Sequence, residues 1–117
     1  TSTMDNADGY GRVARNSNNT LSKIVEHKDC NKDELLIKEI NAGVYFFENK
    51  YLFDYIPQLT NQNSQGEYYL PDVINLMVSN NHLVGIYKTK NTWEIKGINN
   101  KKQLIELNQH LNTIEKI

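Results

Sequence analysis

A single mixed α/β unit, centred on a sheet, with a β-hairpin near its start and a helix near its end, is the fold class this sequence predicts. Three observations lead there. The apolar period switches between two and about 3.6 along the chain, no repeat or low-complexity linker divides it, and 117 residues leave room for one core. The chain opens Thr1-Ser2-Thr3 without an initiator Met, where the pattern already reads as strand interior, so a piece of something longer is expected. Residues 10–15 and 20–27 flank Asn16-Ser17-Asn18-Asn19, whose asparagines tolerate the left-handed backbone of a hairpin turn. Asp29 or Asn31 then caps a short helical turn running to Leu36, because a short side-chain oxygen satisfies orphan amide donors.

Residues 38–47 read as a strand. Its Val44-Tyr45-Phe46-Phe47 run lacks alternation, which predicts a central strand covered on both faces. Residues 50–56 read as a short helix stopped by Pro57. The polar, turn-rich residues 61–66 form a loop. Pro71 suits the first turn of a second helix reaching Met77 or Ser79, with Val73, Ile74, Met77 and Val78 on its apolar face. Residues 83–87 and, more briefly, 92–98 read as extended. In the helix that follows, Leu104, Leu107, Leu111 and Ile114 fall on one stripe, expected to pack on the chain's own sheet rather than on a partner helix.

Composition narrows the function classes. Thirteen Lys+Arg against fourteen Asp+Glu give a formal charge of −1, without the basic footprint of a nucleic-acid binder. No apolar run approaches the ~18 residues of a membrane helix, and no signal-like segment opens the chain. A cytoplasmic protein, bound neither to membrane nor to nucleic acid, is therefore expected. Cys30 is a lone cysteine and cannot form an internal disulfide. His27, His82 and His110 lack metal-ligand spacing and read as structural. Seventeen Asn beside only two Arg warn against reading every Asn as a ligand.

Five short segments stand out at strand ends or in loops: Gly9-Tyr10-Gly11-Arg12, Ile24-Val25-Glu26-His27-Lys28-Asp29, Glu39-Ile40-Asn41-Ala42-Gly43, Gln65-Gly66-Glu67-Tyr68-Tyr69-Leu70-Pro71-Asp72 and Gly97-Ile98-Asn99-Asn100. Glycines let a backbone amide approach a ligand closely. A carboxylate such as Glu26 accepts from two vicinal hydroxyls, and an Asn such as Asn41 both donates and accepts. Those are the needs of a sugar, although ordinary turns and salt bridges meet the same description.

In order and wording these segments resemble the second half of the nucleotidyltransferase domain of bacterial N-acetylglucosamine-1-phosphate uridylyltransferases. That family runs T-G-Y-G-R, I-V-E-x-K-D, E-I-N-T-G, N-x-Q-G-E-Y-Y-L-T-D and G-V-N. The resemblance covers Thr1 to about Leu107. It implies the sheet-centred half of a Rossmann-like nucleotide-diphospho-sugar transferase domain, with 1–117 as the sugar-binding half. It implies that Gly11 offers the backbone amide that meets the sugar, Glu26 the carboxylate on its hydroxyls, and Asn41 a further sugar contact. Asn99 resembles the side-chain oxygen ligand of a Mg²⁺ ion, a sensible hard ligand for it. Lys28, Glu67 and Tyr68 match the family nearby, where they orient the sugar or its loop. UTP and N-acetylglucosamine 1-phosphate are the implied substrates.

The chain departs from the family in two small ways, Ala42 for the usual Thr and Pro71 for another Thr. It also lacks the L-x-A-G-x-G-T-R-M glycine loop that holds the nucleotide, so a missing N-terminal half or a partner chain is implied, and these residues alone are expected to be inactive. No hexapeptide repeats support the acyltransferase activity that some members carry. Two other readings stand beside this one: a non-catalytic sugar-nucleotide-binding or interaction module derived from the fold, and a uridylyltransferase for glucose 1-phosphate. An unpaired sheet edge makes a homodimer a further expectation.

Overall fold

The computed structural model describes residues 1–98 and 100–114. Its order is β1 (Ser2–Thr3), β2 (Arg12–Arg15), β3 (Leu21–Val25), α1 (Lys32–Leu35), β4 (Glu39–Ile40), α2 (Asn49–Tyr55), α3 (Pro71–Ser79) and α4 (Lys101–Ile114). The predicted mixed α/β class holds. The four strands form one sheet in the order β1-β4-β2-β3, with each pair antiparallel.

The hairpin forms as expected, pairing Arg12 with Val25 and Val13 with Ile24. Its turn closes with Asn19 at a φ of 68°, which asparagine tolerates better than most residues. Asn31, rather than Asp29, caps α1. Its Oδ1 accepts from the Glu34 amide at 2.9 Å, and Glu34 Oε2 accepts from the Asn31 amide at 2.8 Å, a reciprocal capping box. The buried Glu34 carboxylate also pairs with Lys23 on β3. Pro71 sits in the first turn of α3, which buries Val73, Ile74 and Met77.

α3 covers one edge of the sheet through a side chain. Asn75 Oδ1 accepts from the Ile24 amide at 2.8 Å, and Asn75 Nδ2 donates to the Ile24 carbonyl at 2.8 Å. One carboxamide thus satisfies both backbone groups of an edge residue, which blunts β3 as a template for pairing. Beneath it Val13, Leu21, Ile24 and Ile74 form a buried cluster, and Tyr55, Val73 and Met77 form a second. Phe47 and Val84 pack against both clusters and join them.

Several expectations are corrected. The strand predicted over residues 38–47 is only Glu39–Ile40. Beyond it burial alternates, with Tyr45 and Phe47 turned inward while Val44 and Phe46 are 69% and 99% exposed. The apolar run is therefore covered on one face rather than two. Residues 83–87 alternate in the same way and enter no ladder among the described residues, with Leu83 and Tyr87 outward and Val84 and Ile86 inward. The piece predicted as extended from residue 92 instead forms a 3-10 helix at Thr92–Ile95. Pro57 does not stop the chain at once, because a 3-10 turn, Ile56–Gln58, carries it through the proline. α4 is where expected, but its inward positions are Gln103, Glu106, Leu107 and His110. Only Leu107 of the predicted stripe shares that face, while Leu104, Leu111 and Ile114 stay exposed. His110 stacks on Trp93 at 4.0 Å between centroids, and Lys96 pairs with Glu106 at 3.4 Å.

One ion pair anchors the sheet. Arg15 Nε and Nη2 each donate at 2.7 Å to the two Glu39 oxygens, and Thr1 Oγ1 donates to Oε1 at 2.7 Å. The guanidinium fork holds the Glu39 carboxyl down to about 2 from 4.5. The folded state thus binds this proton more weakly than the unfolded chain does. The stability it supplies is complete above about pH 4.5 and is lost as pH falls toward 2. Arg15→Gln is expected to flatten the acid limb of a urea-unfolding series in that window. An unchanged limb would remove the pair from the acid response.

Candidate functional site

The turn Gly9-Tyr10-Gly11 enters β2 with Gly9 at a φ of 79°, a conformation that costs glycine little. Arg12, buried in the sheet, donates through Nη1 to the Tyr10 carbonyl and holds the turn from below. Gly11 lies where β2, the end of β3 and the end of β4 meet. A Cβ built on it would stand 3.4 Å from Glu26 Oε1, 3.4 Å from Asn41 Cβ and 3.4 Å from the Val25 carbonyl. The Asn41 amide in turn donates to the Gly11 carbonyl at 2.8 Å. Three of the four residues singled out from the sequence, Gly11, Glu26 and Asn41, are therefore neighbours. The fourth, Asn99, lies outside the described residues. Gly97, a described residue, donates its amide to the Tyr10 hydroxyl at 3.1 Å.

The two side chains beside Gly11 hold complementary open groups. Asn41 Oδ1 is taken, accepting from the Gly43 amide at 3.1 Å and from the Tyr45 hydroxyl at 2.8 Å. Among the described residues nothing accepts from Asn41 Nδ2, which remains an available donor pair. Glu26 is half-buried and no donor reaches its carboxylate among the described residues. Burial, followed by the charges of Asp29 and Asp72, pushes its pKa above the ordinary value. A desolvated carboxylate without a donor carries a cost that a hydroxyl-bearing ligand would relieve.

The sequence places Tyr45 in a strand covered on both faces and carries no signal for a role beside Asn41. Its hydroxyl fixes which way the Asn41 amide points. Tyr45→Phe removes that donor and is expected to cost about 1 kcal/mol in urea denaturation, the usual net worth of one neutral hydrogen bond. A loss under about 0.3 kcal/mol would mean that the bond contributes nothing.

Asp29 holds the loop over residues 61–66 beside this cluster. Its Oδ1 accepts from the Ser64 amide at 2.8 Å, and its Oδ2 from the Tyr69 hydroxyl at 3.1 Å, which itself accepts from Gln65 Nε2 at 2.9 Å. The Ser64 amide contributes most to holding the Asp29 pKa below its ordinary value. The loop anchor is thus Tyr69. Tyr68 is 67% exposed, and Glu67 enters through its carbonyl, which accepts from Asn63 Nδ2 at 2.5 Å.

Cys30 keeps a bland role, with its thiol near the Val25 and Glu26 carbonyls. His82 bonds Tyr55 and His27 pairs with Asp8. Among the described residues no group of three His, Cys, Asp or Glu converges as metal ligands, and no helix is long and apolar enough to cross a membrane.

No family model matches the chain. It is 48% identical over 104 residues to the bifunctional protein GlmU of Bacillus thuringiensis (strain Al Hakam), and equally to those of Bacillus cytotoxicus and Bacillus anthracis (strain CDC 684 / NRRL 3495). The match takes in 89% of this chain and 23% of each relative, so the chain spans less than a quarter of their length.

Proposed function

From its 48% identity over 104 residues to bifunctional GlmU proteins, we propose that this chain belongs to the GlmU family and forms the sugar side of a cytoplasmic sugar-phosphate nucleotidyltransferase. The reaction is UTP plus N-acetylglucosamine 1-phosphate to UDP-N-acetylglucosamine and pyrophosphate. A phosphate oxygen of the sugar phosphate attacks the α-phosphorus of UTP. The new P–O bond forms as the α–β bridging bond breaks, and pyrophosphate leaves with that electron pair. Little covalent work falls to the protein, so positioning carries much of the catalysis.

The observation that supports this reading most is the pairing of an open acceptor, Glu26, with an open donor, Asn41 Nδ2, across a glycine that leaves space between them. Glu26 takes vicinal sugar hydroxyls, Asn41 Nδ2 donates to a sugar oxygen, and the Gly11 amide approaches the ring. The nucleotide is held by polypeptide outside these residues, within a Rossmann-like domain.

The described residues do not by themselves make a Mg²⁺ site. The ion enters the proposal only through Asn99 as a single oxygen ligand, and no step is derived through it. Asn99→Ala, in the full-length polypeptide that carries this sequence, is expected to lower turnover while leaving the KM for sugar phosphate near its starting value. Unchanged turnover would remove Asn99 from the metal.

The reading is tested by assaying pyrophosphate release by that full-length polypeptide from UTP with N-acetylglucosamine 1-phosphate and, in parallel, with glucose 1-phosphate. Release with the first sugar supports it. Release with glucose 1-phosphate alone replaces it by the glucosyl reading, for which Ala42 beside Asn41 is the specific reason. No release with either, together with tight binding of UDP-N-acetylglucosamine, points to a non-catalytic module.

A further inference from the structure

Between the 3-10 turn ending at Gln58 and α3 starting at Pro71, residues 59–70 enter no helix or strand. All but Leu59, Asn63 and Tyr69 are exposed, so apolar packing does little to order them. Within the loop Asn63 gathers the backbone: its Oδ1 accepts from the Gln65 and Glu67 amides at 3.2 Å each, and its carbonyl accepts from the Gly66 amide at 3.2 Å. Apart from the first turn of α3, which follows directly, the hydrogen bonds from residues 60–70 to other parts of the chain all end on Asp29 among the described residues. One carboxylate thus fastens a long exposed loop at two points, the Ser64 amide and the Tyr69 hydroxyl.

Asp29 closes the 3-10 turn His27–Asp29, and its own amide donates to the Glu26 carbonyl at 2.9 Å. The far end of the loop returns to the same place, because Asp72 in the first turn of α3 acts on Glu26 together with Asp29. Glu26 therefore feels two other carboxylates, whose repulsion adds to burial in raising its pKa. Those two have donors. Asp72 Oδ1 accepts from Asn75 Nδ2 at 3.2 Å, and Asp29 accepts from the loop. Donors aimed at a carboxylate offset part of its field. A docked loop accordingly eases the ionised form of Glu26, the form that accepts sugar hydroxyls. By linkage, a sugar seated on Glu26 tightens the loop by the same factor.

We propose that Asp29 is a positioning residue: it latches residues 60–70 against the end of β3, and the latched loop raises the affinity of Glu26 for the sugar phosphate. The coupling rests on the sugar reading, whereas the latch stands on the geometry alone. Asp29 acts through the loop and through Glu26 without itself touching the sugar.

Hydrogen exchange and steady-state kinetics on the full-length polypeptide that carries this sequence test both halves, using Asp29→Ala, Tyr69→Phe and the double variant. Exchange at the Ser64, Gly66 and Glu67 amides is expected to quicken about tenfold or more in Asp29→Ala while the β2 and β3 amides stay protected. In the parent, UDP-N-acetylglucosamine is expected to slow exchange at the same three amides. The KM for N-acetylglucosamine 1-phosphate is expected to rise about tenfold in Asp29→Ala and less in Tyr69→Phe, with kcat nearly unchanged, and the double variant is no worse than Asp29→Ala. The sign is decisive, because an Asp29 that acted by charge alone would hinder Glu26, and its removal would lower the KM. Should Asp29→Ala also expose β2 and β3, Asp29→Asn, which keeps one accepting oxygen, is read at the same amides. Unchanged loop exchange, a lowered or unchanged KM, or fully additive losses in the double variant each overturns the proposal. A parent that neither releases pyrophosphate nor binds UDP-N-acetylglucosamine removes the sugar reading and the coupling with it, while quickened exchange at Ser64 in Asp29→Ala still upholds the latch.

Discussion

Glu26→Gln is expected to raise the KM for N-acetylglucosamine 1-phosphate about ten- to a hundredfold in the full-length polypeptide, while the protein becomes no less stable at pH 7. The two effects have one cause. In the free protein the Glu26 carboxylate is half-buried, faces the charges of Asp29 and Asp72, and accepts from no donor among the described residues, so its pKa is raised. A carboxyl whose folded pKa lies above its unfolded one penalises the folded state once the pH is above both values, and a neutral amide of the same shape removes that penalty. A sugar that donates two hydroxyls to the carboxylate forms charge-assisted bonds worth about 1.5–3 kcal/mol, part of which the amide forfeits. A purely structural Glu26 gives the opposite pair, with lost stability and an unchanged KM. That outcome would detach the residue from the sugar.

Ile40→Ala is expected to cost about 2–5 kcal/mol, a large share of the roughly 5–15 kcal/mol a domain possesses. Ile40 is fully buried and sits at the centre of the sheet, opposite Ser2 on one side and Arg12 on the other. Truncation leaves a cavity that three strands border, and a hydrogen-bonded ladder closes poorly around a void. Because Asn41 follows directly, a loosened β4 also shifts a site residue, so sugar affinity should fall together with stability. Leu36→Ala is the control. Leu36 is 79% exposed, and its removal should change stability by no more than about 0.5 kcal/mol. A urea midpoint for Ile40→Ala close to that of the control would contradict the placement of the core.

What was legible in the sequence was mostly local. The hairpin follows from asparagines between two strand-like runs, and a cap for α1 from the short side-chain oxygens of Asp29 or Asn31, of which the structure uses Asn31. The neighbourhood of Gly11, Glu26 and Asn41 came from segment wording rather than from periodicity, since no spacing rule brings residues 11, 26 and 41 together. Hidden features involve distant partners. Asn75 reads as a polar residue on α3, yet it closes the edge of β3 51 residues away in sequence. Tyr10 reaches Gly97 across 87 residues. The run through Phe47 misled because non-alternating apolar residues imply cover on both faces, and nothing among the described residues supplies the second cover. The leucine stripe of α4 misled similarly, since Trp93 and Lys96 engage His110 and Glu106 on a rotated face.

The most direct measurement is the structure of the full-length polypeptide crystallised with UDP-N-acetylglucosamine. The sugar is predicted to lie over Gly11, with its hydroxyls on the Glu26 carboxylate and a ring or N-acetyl oxygen accepting from Asn41 Nδ2. A well-ordered sugar seated elsewhere, with those three groups touching nothing but protein and water, would contradict the account.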